Sequence, residues 1–207
     1  MSCKYVIGSG ATLDHALAAW RECDPQANLQ AVPVDPNIGR LALEAILDAL
    51  ALEGASAFVA IGPEHLNFRR LAVVDALRRR GLPMPPLLSR SALVADGAAI
   101  GENCWIGPGA IVQHGCSIGD NVVIGAGAIL GAGASVGASC WIDDGVVAGR
   151  DAKLGAHVTL GIGVFVAHGV RIADQCVIDR PGRVEANVTG KTFLHASHDG
   201  PIVVAGA

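Results

Sequence analysis

The stretch IVQHGCSIGDNVVIGAGAILGAGASVG, residues 111–137, states one short pattern of aliphatic, small and glycine residues several times over. Aliphatic side chains fall at every sixth position: Val112, Ile118, Ile124, Leu130 and Val136. The column extends back through Ile106, Ile100 and Val94 to Leu88. It runs forward through Ile142, Ala148, Leu154, Leu160, Val166, Ile172 and Ile178 to Val184, with no insertion. Four places after each aliphatic stands a second column of small residues, including Ala98, Cys104, Ala110, Cys116, Val122, Ala128, Ala134, Cys140 and Cys176. A hexapeptide period sustained this far is the pattern of a β-helix solenoid. In its left-handed form each hexapeptide makes one side of a triangular prism, and three make a coil. Coils stack at the ordinary strand spacing, about 4.8 Å. Left-handed parallel crossovers are rare elsewhere, so the hand is inferred from the hexapeptide period itself.

Residues 1–86 follow a different grammar. Apolar runs at 4–8, 29–35 and 56–62 read as strands, and segments 11–23, 41–54 and 66–81 carry helical spacing, the last two stopped by Gly54 and Gly81. Alternating strands and helices predict a small parallel α/β domain, a Rossmann-like half, whose ligands lie at the carboxyl ends of its strands. Gly8-Ser9-Gly10 stands at such an end before a helix, where free N–H groups and close approach suit a phosphate. PMPP, 83–86, is the linker, the β-helix spans 87–185, and 186–207 form a C-terminal tail.

The chain has 207 residues, of which 51% are hydrophobic and only 4% aromatic, so its core must be thin and repetitive. A net charge of −4, with no basic run beyond Arg78-Arg79-Arg80, argues against nucleic acid as a partner. No apolar run approaches a membrane span, and the N-terminus lacks a signal-peptide layout. Six cysteines without paired motif spacing point to a reducing compartment, and a soluble cytoplasmic protein is expected. Cys104, Cys116, Cys140 and Cys176 occupy the inward small-residue column and read as packing rather than as metal or redox ligands.

VIGSGA (6–11), FVAIGPEHLNFRR (58–70) and LLSRSALVADGAAIGENCWIGPGAIV (87–112) together resemble the sugar O-/N-acyltransferase family of left-handed β-helix enzymes. That family includes sialic-acid O-acetyltransferases and the N-acetyltransferases of UDP-linked 4-amino sugars. The resemblance covers nearly the whole chain and sets Arg69 at the family's arginine. It implies a small domain that holds a nucleotide sugar, with Gly8, Gly10 and Asp35 facing the nucleotide. It also implies acetyl-CoA lying along the β-helix between the subunits of a homotrimer. The family's base is a histidine in V-x-H-[DE]-C-x-I-G. A neutral imidazole suits the task, which is to take a proton from the sugar's amine or hydroxyl as it attacks the thioester.

VQHGCSIG, 112–119, matches that motif with Gly115 in place of the acid, making His114 the candidate base. Counted by coils from either end, however, the family's histidine position falls on Ala132. One vertical column of the repeat holds Asp96, His114, Ala132, Arg150 and His168. Asp96, one coil from His114, is expected to hydrogen-bond and orient its ring, and Arg150 to meet a CoA or nucleotide phosphate. His168, in VAHGVRI, is a rival base. His157 has no partner in the repeat and reads as a surface residue. Trp105 and Trp141 share an outward column whose expected cover is the trimer interface. HGCSIGD, 114–120, also matches the γ-type carbonic anhydrases, but the position of their second zinc ligand is Gly109, so no metal is expected. The tail ends in IVVAGA, where the family's closing V-x-G-x-P-A motif would finish. The expected activity is acetyl transfer from acetyl-CoA to an amine or hydroxyl of a nucleotide-linked sugar. The alternative is an inactive β-helix member acting as a binding, structural or sugar-nucleotide-sensing protein.

Overall fold

The computed structural model describes residues 3–35, 37–198 and 200–204. The last three residues of IVVAGA therefore lie outside the described residues. At the N-terminus, β1 (Cys3–Gly8), β2 (Asn28–Pro33) and β3 (Ser56–Ala60) form a parallel sheet with β1 in the middle. Helices α1 (Gly10–Cys23), α2 (Arg40–Asp48) and α3 (Phe68–Arg79) connect and cover it. Strand alternation divides the packing. Tyr5, Ile7 and Val59 point to the core shared with α2 and α3. Val6 and Phe58 point the other way, with Leu13, Leu17 and Trp20 of α1.

Two helices are shorter than their sequence pattern. The pattern predicts a helix to Gly54, but α2 stops at Asp48. The reason lies in β1: Tyr5 Oη donates to the Ala51 carbonyl and accepts from the Ala51 N–H, both at 3.1 Å, so that backbone is spent on the strand. The segment predicted helical from residue 66 begins instead with a left-handed turn. His65, Leu66 and Asn67 have φ of 52°, 54° and 63°, and α3 starts only at Phe68.

From Leu87 the chain winds into a solenoid of about six coils, eighteen residues each, in three parallel sheets of short rungs. The aliphatic and small-residue columns both point inward and are buried from Cys104 to Ile178, while Leu88 at the first coil is exposed. Each face presents a different outer column. One carries Leu87, Trp105, Val123, Trp141, Thr159 and Val177. The second carries Leu93, Ile111, Ile129, Val147 and Phe165, and the third Ala99, Ser117, Ser135, Lys153 and Arg171. The tail rejoins the tryptophan face: Thr192–His195 pairs in parallel with Val177–Asp179 and then antiparallel with Ile202–Val203.

The tryptophan face is covered by the chain's own small domain, which corrects the expectation that a neighbouring subunit covers it. Phe58 meets Trp105 edge-on at 6.3 Å, Arg70 lies 5.4 Å over Trp141, and Leu87 belongs to the α1 core. The physical cause is that Phe58 and Trp20 have an apolar side to bury, and the Trp105 indole packs against it. The PMPP segment does not swing free: Pro83 O accepts from Ala57 N and Met84 O from Asn103 N.

Candidate active site

The corner between the aliphatic and polar faces sets His114 at the surface. Gln113 and His114 follow the rung Ile111–Val112, and Gly115 turns the corner at φ 73°. The imidazole lies back over the coil beneath, where a Cβ on Gly97 would stand 3.4 Å from its Cε1. His114 Nδ1 is 2.9 Å from the Asp96 backbone carbonyl, so Nδ1–H donates and Nε2 is left to accept a proton. Asp96 thus meets the ring through its main chain, not through its carboxylate. Beside the ring runs an apolar groove of about 570 Å³ between Ala92–Ala95 and Ile111–His114, with Ala132 at its edge. A slim aliphatic chain fits such a floor. In the next coil the Ala132 N–H is bonded to Gln113 Oε1 and the Gly133 N–H to the His114 carbonyl, each at 3.0 Å.

His168, three coils on in the same column, repeats this geometry: its Nδ1 is 2.6 Å from the Arg150 carbonyl. The hydrogen bond to the residue eighteen places earlier is therefore a property of this corner rather than of one histidine. His168 also has a carboxylate neighbour, Asp151 Oδ2 at 4.0 Å. Arg150 stands exposed on the same edge, two coils beyond His114.

Gly8, Gly10 and Asp35 gather at the carboxyl ends of β1 and β2, where Val34 N donates to Gly8 O. Gly8 is needed for packing, because a Cβ there would collide with the Ala60 carbonyl of β3. Gly10 has φ 51° and open space around it. The Asp35 carboxylate accepts from Asn37 N at 2.7 Å and closes a local turn. No residue of the small domain lines the His114 groove. Within one chain, the sequence-predicted nucleotide turn and the candidate base stay apart.

Three features of the domain seam escaped the sequence reading. Arg70, not Arg69, is the buried arginine. Its guanidinium donates to Ile61 O, Asn121 Oδ1, Asn121 O and Cys140 O at 2.9–3.2 Å. Burial pulls its pKa down to about 10, which still leaves it charged at neutral pH. His157 is no free surface residue: its Nδ1–H donates to Leu66 O at 2.9 Å, and its ring stacks on Phe68 at 4.0 Å. Asn103, Asn121 and Ser139 form a polar ladder on the corner beneath, each buried and each with positive φ. The signal available was the polar residue recurring at this corner every eighteen positions. The four inward cysteines are buried, and burial pushes the Cys104 thiol up to about 11 and Cys140 to about 12. Among the described residues no group of three or more His, Cys, Asp or Glu converges as metal ligands. No helix among them is long and apolar enough to cross a membrane.

Residues 97–132 match the family model of the bacterial transferase hexapeptide (six repeats). That stretch carries the hexapeptide repeat. The hexapeptide chain shares its fold with the acetyltransferase domain of PglB from Neisseria gonorrhoeae FA1090, at TM-score 0.85 and 18% identity, covering 98% of this chain and 100% of that one. The same domain in complex with acetyl coenzyme A matches at TM-score 0.69 and 19% identity, over 97% and 98% of the two chains. PerB from Caulobacter crescentus, solved with CoA and GDP-perosamine, matches at TM-score 0.72 and 23% identity, over 93% of each. No curated protein matches the hexapeptide chain by sequence.

Proposed function

We propose that this protein is an acyltransferase that moves acetyl from acetyl-CoA to an amine or hydroxyl of a nucleotide-linked sugar. The observation that carries the reading is the combination of parts. A strand-end glycine turn and a hexapeptide β-helix occur in one chain, matched over almost its full length by the acetyltransferase domain of PglB, solved also with acetyl coenzyme A, and by PerB, solved with CoA and GDP-perosamine. In this reading Gly8, Gly10 and Asp35 face the nucleotide, and the groove beside His114 takes the acyl arm of the donor. His114 Nε2 accepts the proton as the acceptor attacks the thioester carbonyl. The C–S bond then breaks, and the proton goes to the departing CoA thiolate. Asp96 holds the imidazole through its carbonyl, and Arg150 takes a phosphate.

Because the groove draws nothing from the small domain of its own chain, donor and acceptor are brought together by a neighbouring subunit. The open column Leu93, Ile111, Ile129, Val147 and Phe165 supports association there. Leu93 is 64% exposed, and an outward aliphatic stripe favours a partner. A homotrimer is our reading. A second reading, an inactive sensor or scaffold, is favoured by one observation: the Ala132 amide, where an oxyanion donor would serve, is already bonded to Gln113.

The test is CoA release from acetyl-CoA with GDP- and UDP-linked amino sugars, for wild type, His114→Ala and His168→Ala. Loss of at least a hundredfold in His114→Ala alone fits the reading, since general-base catalysis contributes about 10²–10⁴-fold. Equal rates in wild type and His114→Ala remove His114 from the mechanism. No CoA release with any acceptor leaves the scaffold.

A further inference from the structure

A second concavity lies on another corner, between the tryptophan and aliphatic faces, roofed by α1. It holds about 430 Å³, within the range of small-molecule sites, and shares no lining residue with the His114 groove. Its floor is Trp105, Val123 and Trp141. Its rim carries Glu22 and His15 from α1 and Asp143 and Asp144 from the corner, with no lysine or arginine. Two polar atoms beneath its floor, Ser89 Oγ and Trp105 Nε1, are shut off from solvent and have no hydrogen-bond partner among the described residues. A buried hydroxyl and indole N–H left unpaired each cost free energy unless something else bonds them.

We propose that this cleft binds a small ring-bodied molecule carrying a cationic amine. The indole floor packs against the ring, and Trp105 attracts the ammonium through its π face, the Trp141 ring already having the Arg70 guanidinium over it. The three carboxylates favour a cation over the floor and disfavour phosphate, so the cleft is no place for a nucleotide diphosphate or the phosphates of CoA. The Asp144 carboxylate already accepts from Ala126 N at 2.7 Å, and Asp143 from Asp144 N at 2.9 Å, which fixes both groups at the rim. The site stands whether or not the chain transfers acetyl, because it uses no residue of the transfer reading.

The experiment follows the indole N–H resonances of the three tryptophans in ¹⁵N-labelled protein, with no acyl donor present. The probes are cyclohexylamine and its uncharged counterpart cyclohexanol. Cyclohexylamine should shift Trp105 and Trp141 saturably and leave Trp20, which does not line the cleft, in place. Asp143→Asn with Asp144→Asn keeps both turn-closing oxygens and should weaken binding roughly tenfold or more, as expected for loss of a bond to a charged group. Glu22→Gln, on the exposed side of α1, gives the same readout without touching the solenoid. Equal binding of cyclohexanol, or amine binding unchanged in both carboxylate variants, overturns the proposal. So does an amine that leaves Trp105 and Trp141 unmoved.

Discussion

Arg70→Met tests how the two halves of the chain are joined. Methionine keeps most of the side chain's length, so the change is mainly electrostatic. Of the four acceptors the guanidinium serves, Asn121 Oδ1 keeps the bond from Asn103 Nδ2 and Cys140 O keeps that from Val123 N. Ile61 O and Asn121 O lose the guanidinium donor. Leaving two buried acceptors short costs roughly 1–3 kcal/mol each, about 2–6 in all. Removing a buried charge returns part of that, since an ion of this kind carries a desolvation penalty of several kcal/mol. The expected net loss is about 3 kcal/mol, or about 6–12 °C in Tm for a chain of this size. Arg70→Lys should lose more than Arg70→Met, because an ammonium is costlier to bury and lacks the planar fork that reaches both domains. Thermal unfolding followed by tryptophan emission reports the change directly, since Arg70 lies over Trp141. A Tm within about 2 °C of wild type, or a lysine variant more stable than the methionine one, refutes the reasoning.

Gly8→Ala sets a Cβ against the Ala60 carbonyl and should destabilise by about 2–3 kcal/mol or more, read from denaturant midpoints. His65→Gly should stabilise by roughly 1 kcal/mol, because the exposed His65 sits at φ 52° and loses no packing when replaced. At pH 8 a thiol reagent should label Cys3 and Cys23 quickly and leave the four buried cysteines until the chain unfolds. Cys104 and Cys140 are raised in the native state, so they contribute stability that is full below pH 9 and lost as pH climbs through 11 to 12. Midpoints that rise over that window would contradict this. Leu93→Asp with Ile111→Asp should abolish the proposed trimer, leaving monomer in analytical ultracentrifugation and the circular dichroism unchanged.

The solenoid was legible because each coil repeats one rule, and a six-residue period has few other physical sources. The small domain was legible in its order of elements but not in their ends. The bond between Tyr5 and Ala51 cuts α2 short, and a turn of left-handed residues precedes α3, both tertiary events. A third column also went unread: the residue three places after each aliphatic takes positive φ from Gly97 through Gln175, which is why glycine, Asn or Asp stands at most corners. It gives Gly115 a conformational reason for standing where the family's motif has an acid. The column holding Asp96, His114 and Arg150 could be counted from sequence, since eighteen residues return to the same corner. What counting did not supply is direction. Asp96 offers its carbonyl, and Arg70, not its neighbour Arg69, turns inward. The cover of Trp105 was missed because nothing in a repeat tells which face the rest of the chain will lie on.

The seam between the halves touches Asn103, Asn121, Cys140 and His157, residues from four successive coils. A solenoid held only by nearest-neighbour stacking frays one rung at a time from either end. Here the small domain acts as a splint across those rungs, so they must open together or not at all. Amide exchange should accordingly be slow and nearly uniform from residue 103 to 157 and quicken toward the tail beyond it, a gradient with one free end instead of two.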